Sequence, residues 1–149
     1  MVFEIREGRV GDIPAVFSLV RELAVYEKSP DAVVTTPEEY VELMKEGLFK
    51  IFVAEVEGEV VGMALYYYTF STWKGKMLYL EDFVVRQKFR RAGIGHAMFE
   101  RVIEEGRKNH CALMKWQVLD WNQPAISFYE KYNAEFDKGW WNGKLFFRE

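Results

Sequence analysis

Along this chain the apolar positions recur at two spacings, every second residue and every three to four, and the switches between them predict the elements. Phe3 and Ile5 alternate with polar neighbours in a short first strand ending near Arg6. Ile13, Val16, Phe17, Val20, Leu23 and Ala24 then share one helical face as far as about Tyr26, with Asp12 as candidate cap and Pro14 in the first turn. The stretch KSPDAVV breaks that helix. Thr36-Pro37-Glu38-Glu39 reads as a capping box with proline at the first helical position, and Gly47 closes a short second helix. Ile51 to Val56 and Glu59 to Phe70 are β-branched and aromatic runs joined by Glu57-Gly58, which makes an antiparallel hairpin.

After the turn STWKG (71–75), a strand around Tyr79 runs through a basic stretch into a third helix, from about Ile94 to Arg107, with Met98, Phe99, Val102 and Ile103 facing inward. Leu113 to Val118 reads as a strand, and Pro124 starts a fourth helix through Tyr132. Phe136 and the run Leu145 to Phe147 offer two last strands around a Trp-Trp-Asn-Gly turn. The expected class is therefore α/β (α+β): a mixed sheet with helices on both faces.

Composition narrows this to one domain over residues 1–149, long enough to bury a core without staples. Half of the residues are hydrophobic and 17% are aromatic, which speaks against disorder. A single cysteine, Cys111, rules out an internal disulfide framework, and no cysteine and histidine cluster has zinc spacing. Met1 to Val10 has no apolar signal core, and no apolar run approaches the roughly 20 residues that span a bilayer. A cytoplasmic protein needing no metal and touching no membrane is expected. The formal net charge of −3 gives no general attraction for nucleic acid. One basic loop, Arg86 to Arg91, on a mildly acidic protein suits an anionic cofactor beside a cationic substrate.

Candidate chemistry concentrates in MLYLEDFVVRQKFRRAGIG (77–95). It runs from an apolar strand through the basic loop to a glycine-punctuated helix start. The first N–H groups of a helix have no partner within it, the dipole end is positive, and glycine lets a bulky anion approach the backbone. Arg90, Gly93 and Gly95 fit that need, although glycine pairs also merely end loops. A third glycine is missing, so this is not a dinucleotide fingerprint, nor is it a Walker-type loop. Glu81 and Asp82 interrupt the same strand. Adjacent strand residues point to opposite faces, so with Tyr79 and Glu81 on one face Asp82 is expected on the other, or at an opening of the sheet. Either acid could instead pair with a nearby Lys or Arg; two of them inside a strand are costly unless used. Tyr129 lies on a short amphipathic helix, where tyrosine is more often core than catalyst. His96 and His110 read as surface or helix-end residues. Tyr66, Tyr67, Tyr68, Phe70 and Trp73 alternate across two faces, as core, as interface or as one wall of a pocket.

Read together, YLEDF, RRAGIG and WNQPAISFY resemble the GNAT superfamily of N-acetyltransferases, and specifically its diamine acetyltransferase branch. The resemblance covers nearly the whole chain. STWKG and VLDWNQ look more like the thialysine-type members than the spermidine/spermine ones, whose Asp-Pro before the tryptophan is replaced here by Ser71-Thr72. The resemblance implies a GNAT fold with a mostly antiparallel sheet of about six or seven strands, acetyl-CoA as co-substrate and a homodimer. It also implies roles by position. Phe83, Val84, Val85, Arg90, Arg91, Ala92, Gly93, Ile94 and Gly95 would line the acetyl-CoA site, with Asn122, Ser127 and Tyr129 also meeting it. Tyr129 would sit near the sulfur, and Glu81 would assist amine deprotonation. Glu27, Asp82 and either Trp140 or Trp141 would lie near the amine.

The chemistry agrees with those roles. An alkylammonium, with a pKa of about 10.4 as in lysine, is no nucleophile until it loses a proton. Glu81, directly or through a water, can attract the cation and accept that proton. A phenol such as Tyr129 can protonate the departing thiolate. Two other readings stay open: the same fold with another acceptor (a protein N-terminus, an aminoglycoside or an amino acid), and a CoA-binding module without turnover.

Overall fold

In the computed structural model, residues 1–148 are described. They divide into two compact units, residues 1–116 and the described residues from 117 on. The first holds a five-stranded sheet in sequential order: β1 (Glu4–Glu7), β2 (Lys50–Val56), β3 (Glu59–Ser71), β4 (Gly75–Val85) and β5 (Leu113–Lys115). The first four strands pair antiparallel, whereas β5 runs parallel to β4. The helices of this unit are α1 (Ile13–Tyr26), α2 (Pro37–Lys45) and α3 (Ile94–Lys108).

Local chemistry explains these boundaries. At the β2–β3 turn Glu57 and Gly58 both have positive φ, 49° and 80°, the backbone twist that a two-residue hairpin needs. Thr36 caps α2: its hydroxyl accepts the Glu39 N–H at 3.2 Å, and Pro37 opens the helix. Asp12 does not cap α1 as expected. Its carboxylate is already taken by both terminal nitrogens of Arg6, at 2.8 and 2.9 Å, and by the Arg9 N–H at 2.7 Å.

Alternation along the strands divides the apolar residues between two faces. Ile51, Val53, Met63, Leu65 and Val84 pack with Ile13, Val16 and Leu19 of α1, with Leu43 and Met44 of α2 against them. The opposite face meets α3. Phe83 and Phe99 make an edge contact at 5.5 Å, the Arg101 guanidinium sits 4.8 Å over the Phe52 ring, and Leu78 lies against Gly106. Helices therefore cover both faces. Each large apolar side chain removed from water this way contributes roughly 1.5–3 kcal/mol.

The second unit contains α4 (Gln123–Glu130), where Asn122 accepts the Ala125 N–H at 3.3 Å and Pro124 lies in the first turn. Among the described residues the two final strands expected around Phe136 and Leu145 to Phe147 do not form, and the sheet has five strands rather than six or seven. Lys138, Gly139, Asn142, Gly143 and Lys144 interrupt the apolar residues of that segment. Leu145, Phe146 and Phe147 are exposed instead.

One irregularity matters more than the strand count. Leu65 pairs with Asp82 while Tyr66 pairs with Leu80, so Glu81 is an extra residue on β4, a β-bulge. The bulge resets the alternation. Tyr79 shares a face with Tyr67, its cross-strand partner, and Asp82 shares it with Leu65. Glu81, two residues after Tyr79, reaches the Tyr67 hydroxyl on that same side. Asp82 is therefore not turned to the opposite face, as a regular strand would have it.

Candidate active site

The acidic half of the site is built on the α1 and α2 face of β4. The Tyr67 hydroxyl donates a 2.9 Å hydrogen bond to Glu81 Oε1, and its ring stacks on Tyr79 with centroids 5.4 Å apart. Glu81 is exposed, whereas Asp82 is largely buried beside it. Burial, and then the charges of Glu81 and Glu27, push the Asp82 carboxyl up to about 7. Glu27, at the C-terminal end of α1, has its own carboxyl raised by burial. Tyr40 of α2 faces the same charges. Its phenol is raised by burial first, with Asp82, Glu39 and Glu81 adding to it. Burial likewise raises Tyr67, strengthened by Glu81, and Tyr79. Three carboxyls and three phenols thus crowd one region, which suits a cation.

The basic half begins where β4 ends. The Arg86 N–H donates to Val61 O at 2.7 Å, and Arg90 Nε donates to Val85 O at 2.9 Å, so the loop is tied back to the sheet. Arg91 and Gly93 both take left-handed backbone, at φ 70° and 85°. Gly93 stands at the N-cap of α3 with no side-chain cap, and a Cβ built there would meet nothing within 4 Å. Ala97 N–H closes the first turn onto Gly93 O, which leaves the leading N–H groups of α3 aimed along the axis. An open approach, a positive helix end and two arginines fit a pyrophosphate. Phe83, Val84 and Val85 are the last paired residues of β4 before the loop, and Ala92, Ile94 and Gly95 carry the chain into α3. A cavity of about 580 Å³ opens between Tyr26 and Arg21 on α1 and Val84, Gln87 and Arg90. The Arg90 guanidinium lies 5.6 Å from the Tyr26 ring centre.

The other expected site residues belong to the second unit. Asn122 is buried at the head of α4, and Ser127 accepts a 3.1 Å hydrogen bond from Gln123 Nε2. Tyr129 is also buried and makes an edge contact with Phe128 at 5.5 Å. Trp140 and Trp141 lie outside any helix or strand and are 73% and 97% exposed. Sequence reasoning missed Tyr40 and the bond from Tyr67 to Glu81. The alternating tyrosines of β3 were the available signal for Tyr67, and nothing local marked Tyr40. No helix among the described residues is long and apolar enough to cross a membrane.

The Acetyltransferase (GNAT) family pattern matches residues 15–134. Thialysine N-epsilon-acetyltransferase of Bos taurus is 38% identical over 144 residues, covering 88% of this chain and 83% of that protein. Spermidine/spermine N(1)-acetyltransferase-like protein 1 of Homo sapiens is 35% identical over 153 residues, 93% of this chain. The chain spans only 22% of that longer relative. Among solved structures, an aminoglycoside acetyltransferase from an uncultured soil metagenomic sample superposes with a TM-score of 0.81 over 96% of both chains. At 20% identity that likeness speaks for the fold alone.

Proposed function

The chain belongs to the acetyltransferase (GNAT) family, and from that premise we propose that it transfers acetyl from acetyl-CoA directly to a small cationic amine. The acceptor class is a diamine, a polyamine or a thialysine-like amino acid, the classes named in the relatives above. The observation that carries this reading is the acidic, aromatic region at the bulge, followed on the same strand by the anion cradle.

Acetyl-CoA supplies an activated thioester. Its pyrophosphate would rest on the leading N–H groups of α3, with Gly93 leaving the approach open and Arg90 and Arg91 adding charge. Phe83 to Val85, Ala92, Ile94 and Gly95 are the further residues proposed to meet the cofactor, as are Asn122, Ser127 and Tyr129. Glu27, Glu81 and Asp82 attract the ammonium group, with Trp140 or Trp141 beside it, and Glu81 assists the loss of its proton. Tyr129 gives its hydroxyl proton to the departing thiolate. Residues 1–149 act as one domain, in the cytoplasm, as a homodimer.

A panel of diamines, polyamines, thialysine-like amino acids, aminoglycosides and peptides, incubated with acetyl-CoA and read by product mass, tests this. Small cationic amines should each gain one acetyl group. Preferred acetylation of peptides or aminoglycosides would move the acceptor class, and transfer to none would remove the enzymatic reading.

A further inference from the structure

We infer that the cavity between α1 and the basic loop takes the 3′-phosphorylated adenosine end of acetyl-CoA, with Arg21 reading the 3′-phosphate. This rests on the acetyl-CoA reading above and adds a second anion contact beside the backbone cradle at α3.

One stripe of α1 builds the cavity. Ser18, Arg21, Glu22 and Val25 recur at helical spacing and stay exposed, whereas Val16 and Leu19 are spent on the core. Val84, Gln87 and Arg90 face that stripe from the end of β4 and the loop. The volume of about 580 Å³ lies within the ~300–1,000 Å³ usual for small-molecule sites. Charge in the lining is one-sided. Glu22 is its one acid, and Arg86 neutralises it through two nitrogens, at 3.1 and 3.2 Å. Arg21 has no ion-pair partner among the described residues. Arg90 is held in place: its Nε donates to Val85 O at 2.9 Å, and its guanidinium lies 5.6 Å from the Tyr26 ring centre. Two guanidinium groups therefore stand over a wall made partly of Val25 and Tyr26, which are 63% and 40% exposed.

Those features select one part of the two substrates. An ammonium acceptor is repelled by two guanidinium groups. The pantetheine arm of acetyl-CoA is uncharged and makes no use of Arg21. The pyrophosphate is met by the leading N–H groups of α3. What remains is the ribose 3′-phosphate, the other anionic group of the molecule, and a guanidinium presents paired donors that fit phosphate oxygens. The purine attached to the same ribose has two flat faces, which suit an aromatic and aliphatic wall such as Tyr26 and Val25. Arg90 lies three residues before Gly93, so the cavity adjoins the cradle. A single ribose spans from one phosphate group to the other.

The test compares acetyl-CoA with its 3′-dephospho form as donors to the amine that wild type acetylates best, with Arg21→Gln and Tyr26→Leu alongside. Wild type should show a KM about tenfold lower for acetyl-CoA at equal kcat, the worth of one charge-assisted pair. Arg21→Gln should lose that preference by raising the KM for acetyl-CoA alone. Arg21 is exposed on its helix, so this exchange leaves the fold intact. Equal KM values in wild type, or a preference that survives in Arg21→Gln, overturn the assignment. Tyr26→Leu should raise the KM for both donors alike, because both carry the purine, and leave inhibition by inorganic pyrophosphate unchanged. Unmoved donor KM values, or weakened pyrophosphate inhibition, remove the purine from the cavity. Calorimetric titration needs no turnover: wild type should bind adenosine 3′,5′-bisphosphate about tenfold tighter than AMP, and Arg21→Gln should bind the two alike. Equal binding of the two by wild type overturns the inference. Acetyl transfer to no amine, with the bisphosphate still preferred, is the distinct result that defeats the acetyltransferase reading and leaves the cavity's ligand standing.

Discussion

β4 and the turn after it place two regions of opposite chemistry almost end to end. At Tyr79 to Asp82 the site is made of side chains: carboxyls and phenols gathered on one face by a single extra residue. At Arg86 to Gly95 it is made chiefly of backbone: left-handed turns, an uncapped helix start and an approach with no Cβ in the way. The difference is physical. A small alkylammonium is selected by nearby charges, whose strength depends on burial. A diffuse pyrophosphate is held by several converging N–H groups, whose directions the helix fixes in advance.

The largest effect is expected at Tyr129, the proposed proton donor. Tyr129→Phe should lower kcat by about 10²–10⁴ while leaving the KM for acetyl-CoA nearly constant, because removing a proton donor leaves binding intact. Steady-state kinetics with full turnover retained would return Tyr129 to the core. Next comes Gly93→Asp. Left-handed backbone costs a side chain about 1–2 kcal/mol, and the new carboxylate would project toward the anion's approach. The KM for acetyl-CoA should rise tenfold or more with the amine KM unmoved. Equal movement of both would mean the two regions act as one.

A smaller effect concerns stability. The Asp82 carboxyl is raised to about 7 in the folded protein, mainly by burial. An acid raised in this way favours the folded state below the ordinary carboxylate pKa, and that advantage is lost as pH rises through about 7. Asp82→Asn should therefore raise the Tm by several degrees at about pH 8, with the gap closing by about pH 4. A gap that is constant with pH would show that Asp82 is charged at little cost. Smallest of all is Arg86→Ala. It removes pairs to Glu22 at 3.1 Å and Glu59 at 2.9 Å, both largely exposed, so chemical denaturation should change by less than about 1 kcal/mol.

The cradle region was legible in the sequence because its signals are local. Glycine, arginine and a new helical period lie within one short stretch, and α3 begins at Ile94 as the spacing required. The hairpin at Glu57-Gly58 and the Thr36 cap were readable for the same reason. The acid pair was legible only as composition. Which face Asp82 takes depends on register against β3, and nothing in Leu80-Glu81-Asp82 announces a bulge. The final strands failed for a related reason: apolar content in Leu145 to Phe147 suggests a strand, but a strand also needs a partner edge to pair with, and these residues are exposed instead.

By itself the sequence determined what depends on near neighbours: the Thr36 cap, the Glu57-Gly58 turn, the order of strands and helices from β1 to α4, and the residue types at both ends of β4. Its motifs also carried the family. Only the tertiary structure decided how the two acids differ. A strand's facing is set by pairing across the sheet, and a carboxyl's proton affinity by what other elements bury against it. Glu27, Tyr40 and Tyr67 come from α1, α2 and β3 to surround Asp82, and no spacing within the chain measures that convergence.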